Sequence, residues 1–436
     1  MQMVLNMNYL PKVAAIFSLI YIYGCNGSYS GTNAEKNSNK SLESTPTPSV
    51  INDDTLSGYS SANSVQFLAA LPPSTPNRQL LVESWESYRR RFIQRDGRVI
   101  DYEASDRSTS EGQAYAMLRA VLIDDPATFA LTLNWGENNL QRLGSGKPLD
   151  SLWAWKWGRT SDGSWGSIDE NFASDADIDA ITALIFASRR WNRPDYLKIA
   201  KIKLQDLWKY STIVGAEGKR YLLPGPKAAF VKNSSNFYLN PSYFAPYAFR
   251  LFAQVDPERD WLSLVDTSYE VLKDSRQIST VNLPSDWVVL DAKTGKYQPV
   301  PPDSPLSSAY SFDAFRVWWR IALDASWFNS SQARSYLETS TQHLIKLWQE
   351  QSSIPARIDL EGKALVDYEA TSQYAMLYAA SKLIEPELAQ ELLDKKLLPR
   401  YQQEVWDDNE AYYTQNLAWL GLLSPKAISP ELLQNN

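Results

Sequence analysis

The sequence predicts an all-α protein whose helices form a closed ring of pairs. Two observations favour this fold class. Apolar residues recur with helical spacing in most segments after Pro76, and no stretch repeats the apolar–polar alternation that is typical of strands. Several acidic residues stand at helix starts or in the loops before them, and a ring of paired helices collects such positions at one end. An α-solenoid is the alternative, although no fixed repeat period supports it.

Composition sets the broad class of the protein. The chain has 436 residues, of which 44% are hydrophobic, so it can bury a large core. It contains 43 basic and 50 acidic residues, and the formal net charge is -7. Because nucleic-acid binding depends on basic residues that neutralise phosphates, this balance disfavours a nucleic-acid partner. A neutral and a cationic substrate fit the charge equally well.

Residues 1–25 have the layout of an export signal. Residues 13–24 are apolar, but they are fewer than the roughly 20 that span a membrane, and they lead directly to Cys25. The segment Ile22-Tyr23-Gly24-Cys25 resembles the lipobox of bacterial lipoproteins. We therefore expect Cys25, the only cysteine, to be lipidated after cleavage. An ordinary signal peptide is the alternative.

The segment that follows predicts a tether. From Asn26 to about Ser64 the chain is rich in Ser, Asn, Thr and Gly. Such a composition buries too little apolar surface to offset the entropy of ordering, so we expect a flexible segment over residues 26–75. The folded domain is then expected over residues 76–430. It would lie in the periplasm or at the cell surface, and the lipid anchor would be its contact with a membrane.

Helical periodicity places the elements of the folded part in order. Ser110 and Gln113 predict a capping box at the start of the second helix. Residues 214–237 contain glycine and proline and predict an irregular stretch with a hairpin. The predicted helices cover residues 80–92, 110–123, 125–140, 176–191, 195–210, 243–252, 261–273, 312–323, 331–350, 368–383, 386–397 and 409–422.

Carboxylates at three distant positions are the candidates for catalysis. Asp175 begins a series of alternating acids with Asp177 and Asp179, Glu111 opens another helix, and Asp313 lies far downstream. Cleavage of a glycosidic bond needs an acid that protonates the departing oxygen and a base or nucleophile on the other side. The pattern therefore favours a glycosidase, although an acid at a helix start more often only stabilises the helix.

The position of Glu111 at the start of a helix opposes its proposed role as a proton donor. A helix N-terminus lowers the pKa of a nearby carboxyl group, so Glu111 needs burial or a neighbouring carboxylate to stay protonated. The Asp175 cluster can supply that neighbour. Arg316 lies three residues after Asp313 and either forms a surface ion pair or positions Asp313 and binds substrate.

Other catalytic classes lack the residues that they need. His343 is the only histidine, and it lies in a predicted amphipathic helix where a structural role is expected. A Ser-His-Asp triad would have to use it, and one cysteine with one histidine excludes a Cys/His zinc site. A calcium site stays open because carboxylates are plentiful, but no loop has the EF-hand spacing.

Aromatic residues are abundant, with 16 Trp and 24 Tyr. Trp153, Trp155 and Trp157 alternate beside Gly158, and we expect their rings to point in different directions, at least one of them away from the core. An aromatic face stacks on the apolar face of a pyranose. Most of the other rings are expected to pack in the core.

Five motifs together resemble glycoside hydrolase family 8. The likeness covers residues 85–422 and is greatest to the endo-β-1,4-glucanases associated with bacterial cellulose synthesis. In chain order, the motifs are Gly97-Arg98-Val99-Ile100-Asp101, Thr109-Ser110-Glu111-Gly112-Gln113-Ala114-Tyr115, Ala173-Ser174-Asp175-Ala176-Asp177, Asn240-Pro241-Ser242-Tyr243 and Asp313-Ala314-Phe315-Arg316.

The resemblance implies an (α/α)6 barrel with an open substrate cleft at one end. It also implies endo-acting, inverting hydrolysis of β-1,4-glucan without a cofactor or a metal. Glu111 matches the family's general acid, Asp313 its general base, and Asp175 the acid that holds the distorted sugar. Inversion predicts a separation of about 6.5–9.5 Å between the carboxyl groups of Glu111 and Asp313.

The resemblance also suggests residues that bind the substrate. Trp155 matches a stacking tryptophan of the cleft, Arg316 matches an arginine near the base, and Tyr243 is a further candidate. The family usually has Tyr immediately before the base, whereas this chain has Phe312. The missing hydroxyl could be replaced only if Tyr310 reaches the same place.

The expected partner is a β-glucan polysaccharide, with a functional link to a cellulose synthase as a further expectation and a monomer as the expected state. Members of the family also act on chitosan, xylan and mixed-linkage glucan, so these polymers are alternatives. A different class of function, a carbohydrate-binding protein that has lost catalysis, is a second alternative, which the substitution at Phe312 supports and three intact acids oppose.

Overall fold

The computed structural model describes residues 61–434 of the chain. The predicted signal peptide, Cys25 and residues 26–60 of the predicted tether lie outside the described residues. No helix within residues 61–434 combines the length and the apolar character needed to cross a membrane.

Residues 61–434 form sixteen α-helices, and the last turn of one of them continues as a π-helix over Leu393–Leu397. In chain order the helices are α1 Ser61–Ala70, α2 Arg78–Phe92, α3 Ser110–Leu122, α4 Pro126–Asn139, α5 Ser174–Arg190, α6 Pro194–Ser211, α7 Lys227–Phe230, α8 Pro246–Val255, α9 Trp261–Ser275, α10 Phe315–Trp327, α11 Ser331–Ser340, α12 Gln342–Gln351, α13 Thr371–Ile384, α14 Pro386–Leu392, α15 Tyr412–Leu422 and α16 Pro430–Leu433.

Twelve of these helices form a closed double ring. The inner ring runs α3, α5, α8, α10, α13 and α15, each helix contacts the next, and α15 returns to contact α3. Each inner helix packs against one outer helix: α4, α6, α9, α11, α14 and α2 respectively. This closed ring within the described residues is the predicted (α/α)6 barrel, and it excludes the solenoid alternative.

The inner helices can pack closely because they carry small apolar residues and few exposed positions. Every residue of α3 is buried. At Gly421 of α15, a Cβ atom would lie 2.3 Å from the carbonyl oxygen of Ala375 on α13, so only glycine permits this approach. The outer helix α2 instead buries one face, with Trp85 and Tyr88 in the core.

Short strands occupy the loops between the helices, all of them paired antiparallel. In the largest sheet β3 pairs with β1, β2 and β4, and a second sheet has the order β10-β9-β8-β7. The strands are β1 Ser108–Thr109, β2 Gln141–Gly144, β3 Lys147–Arg159, β4 Trp165–Phe172, β5 Thr212–Val214, β6 Arg220–Leu222, β7 Val231–Lys232, β8 Asn236–Leu239, β9 Val288–Asp291, β10 Lys296–Gln298, β11 Tyr401–Gln402 and β12 Val405–Trp406.

The longest strands, β3 and β4, lie in a part of the chain where the sequence showed no repeated alternation and where no strand was predicted. β3 and β4 form a hairpin whose pairing shifts register between Ala154 and Lys156 and again between Lys156 and Trp157. These bulges interrupt the regular alternation of buried and exposed residues, so the usual sequence signal is absent. The predicted hairpin in residues 214–237 is confirmed, since β5 pairs with β6 and β7 with β8.

Several predicted boundaries are also corrected. Helix α1 lies in the predicted tether, and Phe67 and Leu71 are buried, so the folded part begins before residue 76. The predicted helix 331–350 is two helices, α11 and α12, that meet at Thr341. The capping box is wrong, because the side chain of Thr109, not that of Ser110, accepts the hydrogen bond from the backbone of Gly112.

Candidate active site

An open cleft lies at the end of the barrel where the inner helices begin. Its empty space is about 1520 Å³, part of which opens to solvent. The lining takes residues from the starts of α3, α5 and α15 and from the loops before α8, α10 and α13. The residues are Thr109, Ser110, Glu111, Trp155, Asp169, Asn171, Phe172, Ala173, Asp175, Pro224, Phe230, Tyr243, Asp286, Trp287, Pro305, Leu306, Ser307, Ser311, Phe312, Asp313, Arg357, Tyr368 and Tyr413.

The guanidinium of Arg316 joins the three predicted acids at the floor of this cleft. Its Nη1 donates to Glu111 Oε2 at 2.5 Å and to Asp175 Oδ2 at 2.8 Å, and its Nη2 donates to Asp313 Oδ1 at 2.6 Å. Carboxylates from three distant parts of the sequence are therefore neighbours. Among residues 61–434, no group of three or more His, Cys, Asp or Glu side chains is placed to hold a metal ion.

Glu111 is a buried carboxyl group that keeps its proton. Burial is the largest effect on it and raises its pKa, the charges of Asp175 and Asp313 raise it further, and Arg316 and the hydroxyl of Tyr412 oppose them. The resulting pKa is about 8. Burial thus outweighs the opposing charge of Arg316 and the hydrogen bond from Tyr412. Tyr412 donates to Glu111 Oε1 at 3.2 Å and orients the group.

Asp313 is the most accessible of the three carboxylates. Its side chain is 22% exposed, against 10% for Glu111. It lies just before α10 rather than within a helix, and Asn240 Nδ2 donates to its Oδ2 at 3.1 Å. Asn240 in turn accepts hydrogen bonds from the backbone and the hydroxyl of Ser242, whose Oγ accepts from Arg316. A carboxylate held in this way at the edge of solvent can bind a water molecule.

The alternating acids of α5 point to three different places because the segment is helical. Asp175 lies in the cleft, and burial raises its pKa. Asp179, one turn later, forms a bidentate ion pair with Arg320, in which Nη1 donates to Oδ1 and Nη2 to Oδ2, each at 2.8 Å. Asp177 faces the other side, accepts from the backbone of Trp153, and has a pKa raised to about 7, mainly by burial. Only Asp175 of the three lines the cleft.

The loop that carries Asp313 is held by a fourth carboxylate, which sequence analysis missed. Asp286 Oδ1 accepts from the backbone nitrogens of Ser311 at 3.1 Å and Ala314 at 2.8 Å, and its Oδ2 accepts from the hydroxyl of Ser311. The side chain is buried and lines the cleft. Burial, followed by the charge of Asp313, raises the pKa of Asp286 to about 7.

Two adjacent tyrosines at the start of α15 were also missed. Tyr412 contacts Glu111, while the hydroxyl of Tyr413 donates at 2.8 Å to the backbone oxygen of Phe312, immediately before Asp313. One short segment therefore supports both Glu111 and the loop that carries Asp313. The available signal was their position, since they open a helix in the same way that Glu111 and Asp175 do.

The predicted aromatic contacts divide into two groups. Trp155 and Tyr243 line the cleft, whereas Trp153 is buried, so the rings do point in different directions. Tyr310 is a correction: it is 1% exposed, and its hydroxyl accepts from Trp318 Nε1 at 2.9 Å in the core. It therefore does not replace the hydroxyl that is missing at Phe312.

The ring of helix pairs and the acidic cleft define the class as an (α/α)6-barrel protein with a carboxylate site at the helix N-termini. The pattern of the family "Glycosyl hydrolases family 8" matches residues 60–426. The chain belongs to this family.

Relatives with curated names agree with the family. The chain is 38% identical over 245 residues to an endoglucanase of Xanthomonas axonopodis pv. citri. This alignment covers 55% of this chain and 60% of the relative. It is 31% identical over 241 residues to an endoglucanase of Escherichia coli K12, with 55% and 62% covered. The matched segment thus spans about 60% of the length of these relatives.

Solved structures agree on the architecture. An endo-1,4-D-glucanase from Vibrio fischeri ES114 superposes with a TM-score of 0.66 and 27% identity, covering 78% of this chain and 93% of that one. A β-1,3-1,4-glucanase from Paenibacillus sp. X4 has a TM-score of 0.67 with 19% identity, covering 81% and 93%. The latter likeness shows the fold alone.

Proposed function

We propose that the protein is an endo-acting glycoside hydrolase that cleaves β-1,4-glucan with inversion at the anomeric carbon. The observation that carries this proposal is the junction of Glu111, Asp175 and Asp313 on Arg316 at the floor of an open cleft. One carboxyl group there is protonated at neutral pH and another is accessible to water, which is the division of duties that hydrolysis requires.

In the proposed reaction, Glu111 donates its proton to the glycosidic oxygen as the bond from that oxygen to the anomeric carbon breaks. Asp313 removes a proton from a water molecule, and the water oxygen bonds to the anomeric carbon from the opposite side. The product carries the inverted configuration, Glu111 is left ionised, and Asp313 is left protonated. Proton exchange with solvent restores both groups.

Asp175 and Arg316 contribute to the electrostatics of the proposed reaction. Positive charge grows on the sugar ring in an oxocarbenium-like transition state, and the buried Asp175 carboxylate stabilises it while holding the ring hydroxyls. Arg316 donates hydrogen bonds to both Asp175 and Asp313, and its charge opposes the effect of burial on the pKa of Asp175. An open cleft with Trp155 and Tyr243 in its wall accepts a chain at an internal position.

Incubation with carboxymethylcellulose and measurement of reducing ends test the activity. Release of reducing ends with a rapid fall in viscosity is expected, and proton NMR of a cleaved cello-oligosaccharide should first show the α-anomer. Asp313→Asn should abolish turnover but retain binding of cello-oligosaccharides. Binding without any hydrolysis by the natural sequence would favour the non-catalytic carbohydrate-binding alternative.

The polymer and the cellular setting are parts of the same proposal. The likeness to the endo-1,4-D-glucanase of Vibrio fischeri favours β-1,4-glucan over chitosan, xylan and mixed-linkage glucan, and a product profile on all four polymers tests this choice. Export, a lipid anchor at Cys25, a monomeric state and a link to cellulose synthesis are supported by sequence features and by the resemblance. A Cys25→Ser variant that still partitions into membranes would contradict the anchor.

A further inference from the structure

Arg357 lies in the wall of the cleft on a segment that is anchored to the loop of the base. The backbones of Ile358 and Tyr310 exchange two hydrogen bonds, of 3.0 and 2.9 Å, three residues before Asp313. Ala356 and Ile358 are fully buried, whereas Arg357 between them is half-buried and faces the cleft. This extended backbone fixes the direction in which the Arg357 side chain leaves the chain.

Arg357 has no charged partner within residues 61–434. No ion pair or hydrogen bond joins its guanidinium to another described side chain, and none of its nitrogens is both buried and unsatisfied, so they reach solvent. Arg316, by contrast, is fully buried and contacts three acids. Among the described residues that line the cleft, Arg357 is the only one with a positive charge.

An arginine placed in this way is available to a ligand. A guanidinium has five N–H donors and no acceptor, so it binds hydroxyl and carboxylate oxygens and repels ammonium groups. Other residues of the cleft lining, Leu306, Ser307 and Tyr368, can provide apolar contact and further hydrogen bonds to a sugar. The side chain can therefore contact a polysaccharide in the same cleft that holds the three acids.

We propose that Arg357 binds the polysaccharide and sets a charge preference, for glucans with anionic substituents or none over glucans with amino groups. The inference rests on the proposed hydrolase function and names the substrate class of the same cleft. The positive charge of Arg357 counteracts the negative charge of the carboxylates at the floor of the cleft. Those carboxylates alone would favour a cationic polymer such as chitosan.

The experiment compares kcat/KM on an anionic and a neutral polymer, carboxymethylcellulose and hydroxyethylcellulose, for the natural sequence and for Arg357→Gln. At low salt the substitution should lower kcat/KM roughly 3–5-fold on the anionic polymer and less than about 2-fold on the neutral one. The difference should shrink at about 0.5 M NaCl because salt screens the charge. Arg357→Lys should keep most of the preference.

The matched control is Arg95→Gln, which removes the same charge from an exposed loop residue outside the cleft lining. It should leave the ratio of the two activities unchanged. Equal losses on both polymers in Arg357→Gln, or no loss on either, would overturn the charge preference. If the natural sequence hydrolysed neither polymer, the proposed function itself would fail, and binding of the two polymers to Asp313→Asn and to its Arg357→Gln double variant would still decide the role of Arg357.

Discussion

The two ends of the barrel are built from the same six inner helices but have opposite chemistry. At their N-terminal ends Glu111, Asp175 and Asp313 surround Arg316 in an open cleft. Away from the cleft, apolar side chains enclose a small cavity, most of them from the C-terminal halves of α3, α10 and α15 and from the last described segment of the chain. That cavity is lined by Leu118, Leu122, Tyr247, Trp319, Leu323, Trp327, Leu420, Leu423, Pro425 and Ile428.

The difference shows that the two ends have different tasks. Burial of carboxyl groups beside one another opposes folding, and the raised pKa of Glu111 is a direct sign of this cost. Burial of apolar surface at the closed end favours folding. In the proposed function the charged groups at the cleft serve the reaction, while burial of apolar surface at the far end supplies stability that offsets their cost.

The largest expected effect follows from replacing the acid at the cleft end. Glu111→Gln keeps the size of the side chain but has no proton to donate, so kcat should fall roughly 10²–10⁴-fold. The loss should be much smaller for an aryl cellobioside whose leaving group needs no proton. Similar losses on both substrates would show that Glu111 is not the acid.

The same group sets the alkaline limb of the pH profile. Because the protonated form of Glu111 is active, kcat/KM should fall as the pH rises through about 8. Folded Glu111 also keeps a proton that the unfolded chain loses above its ordinary value of 4.5, so the free energy of unfolding should fall between pH 4.5 and 8. Glu111→Gln should reduce this slope, as measured by urea unfolding at several pH values.

The next largest effect is expected between the two ends, where Asp179 and Arg320 form a fully buried ion pair. Asp179→Ala would leave Arg320 charged in the core and should lower the free energy of unfolding by about 3–5 kcal/mol. Asp195→Ala is the matched control, because Asp195 and Arg193 form an exposed pair that is screened by solvent and should contribute little to stability. Equal losses of unfolding free energy for the two variants in denaturant titrations would contradict the expected difference between the buried and the exposed ion pair.

A smaller effect is expected at the support of the base. Asp286→Ala leaves the backbone nitrogens of Ser311 and Ala314 without their acceptor, so the loop of Asp313 should shift. We expect kcat to fall about 10–100-fold with KM little changed, since a small misplacement of a reacting group has this effect. Asp286→Asn retains an acceptor oxygen and should recover most of kcat. A change in KM with kcat unchanged would argue that Asp286 does not position the loop of Asp313.

Sequence patterns were informative where the local chain decides the outcome. The inner helices were predicted because their apolar residues recur with helical spacing, and Glu111 and Asp175 stood out as acids at helix starts. Because all inner helices begin at one end of a closed ring, residues at their starts meet in space. The predicted neighbours Glu111, Asp175 and Asp313 are confirmed as neighbours on Arg316.

Patterns were uninformative where distant contacts decide. The direction of Tyr310 depends on its pairing with Ile358, and nothing near Tyr310 in the sequence indicates that pairing. The role of Asp286 depends on a loop 25 residues later. The strand β3 was missed because bulges and partial burial on both faces remove the alternation by which strands are recognised.

The smallest effect is expected at the closed end. Leu432 of α16 is 3% exposed, and its backbone oxygen accepts from Arg189 of α5, so this short helix holds the covering segment against the barrel. Leu432→Ala should lower the free energy of unfolding by about 2 kcal/mol, near the lower limit for a buried leucine, because a segment near the end of the chain can relax. Steady-state kinetics should show unchanged kcat and KM. A loss of kcat without a loss of stability would mean that the closed end controls the geometry of the cleft, and that the two ends are not independent.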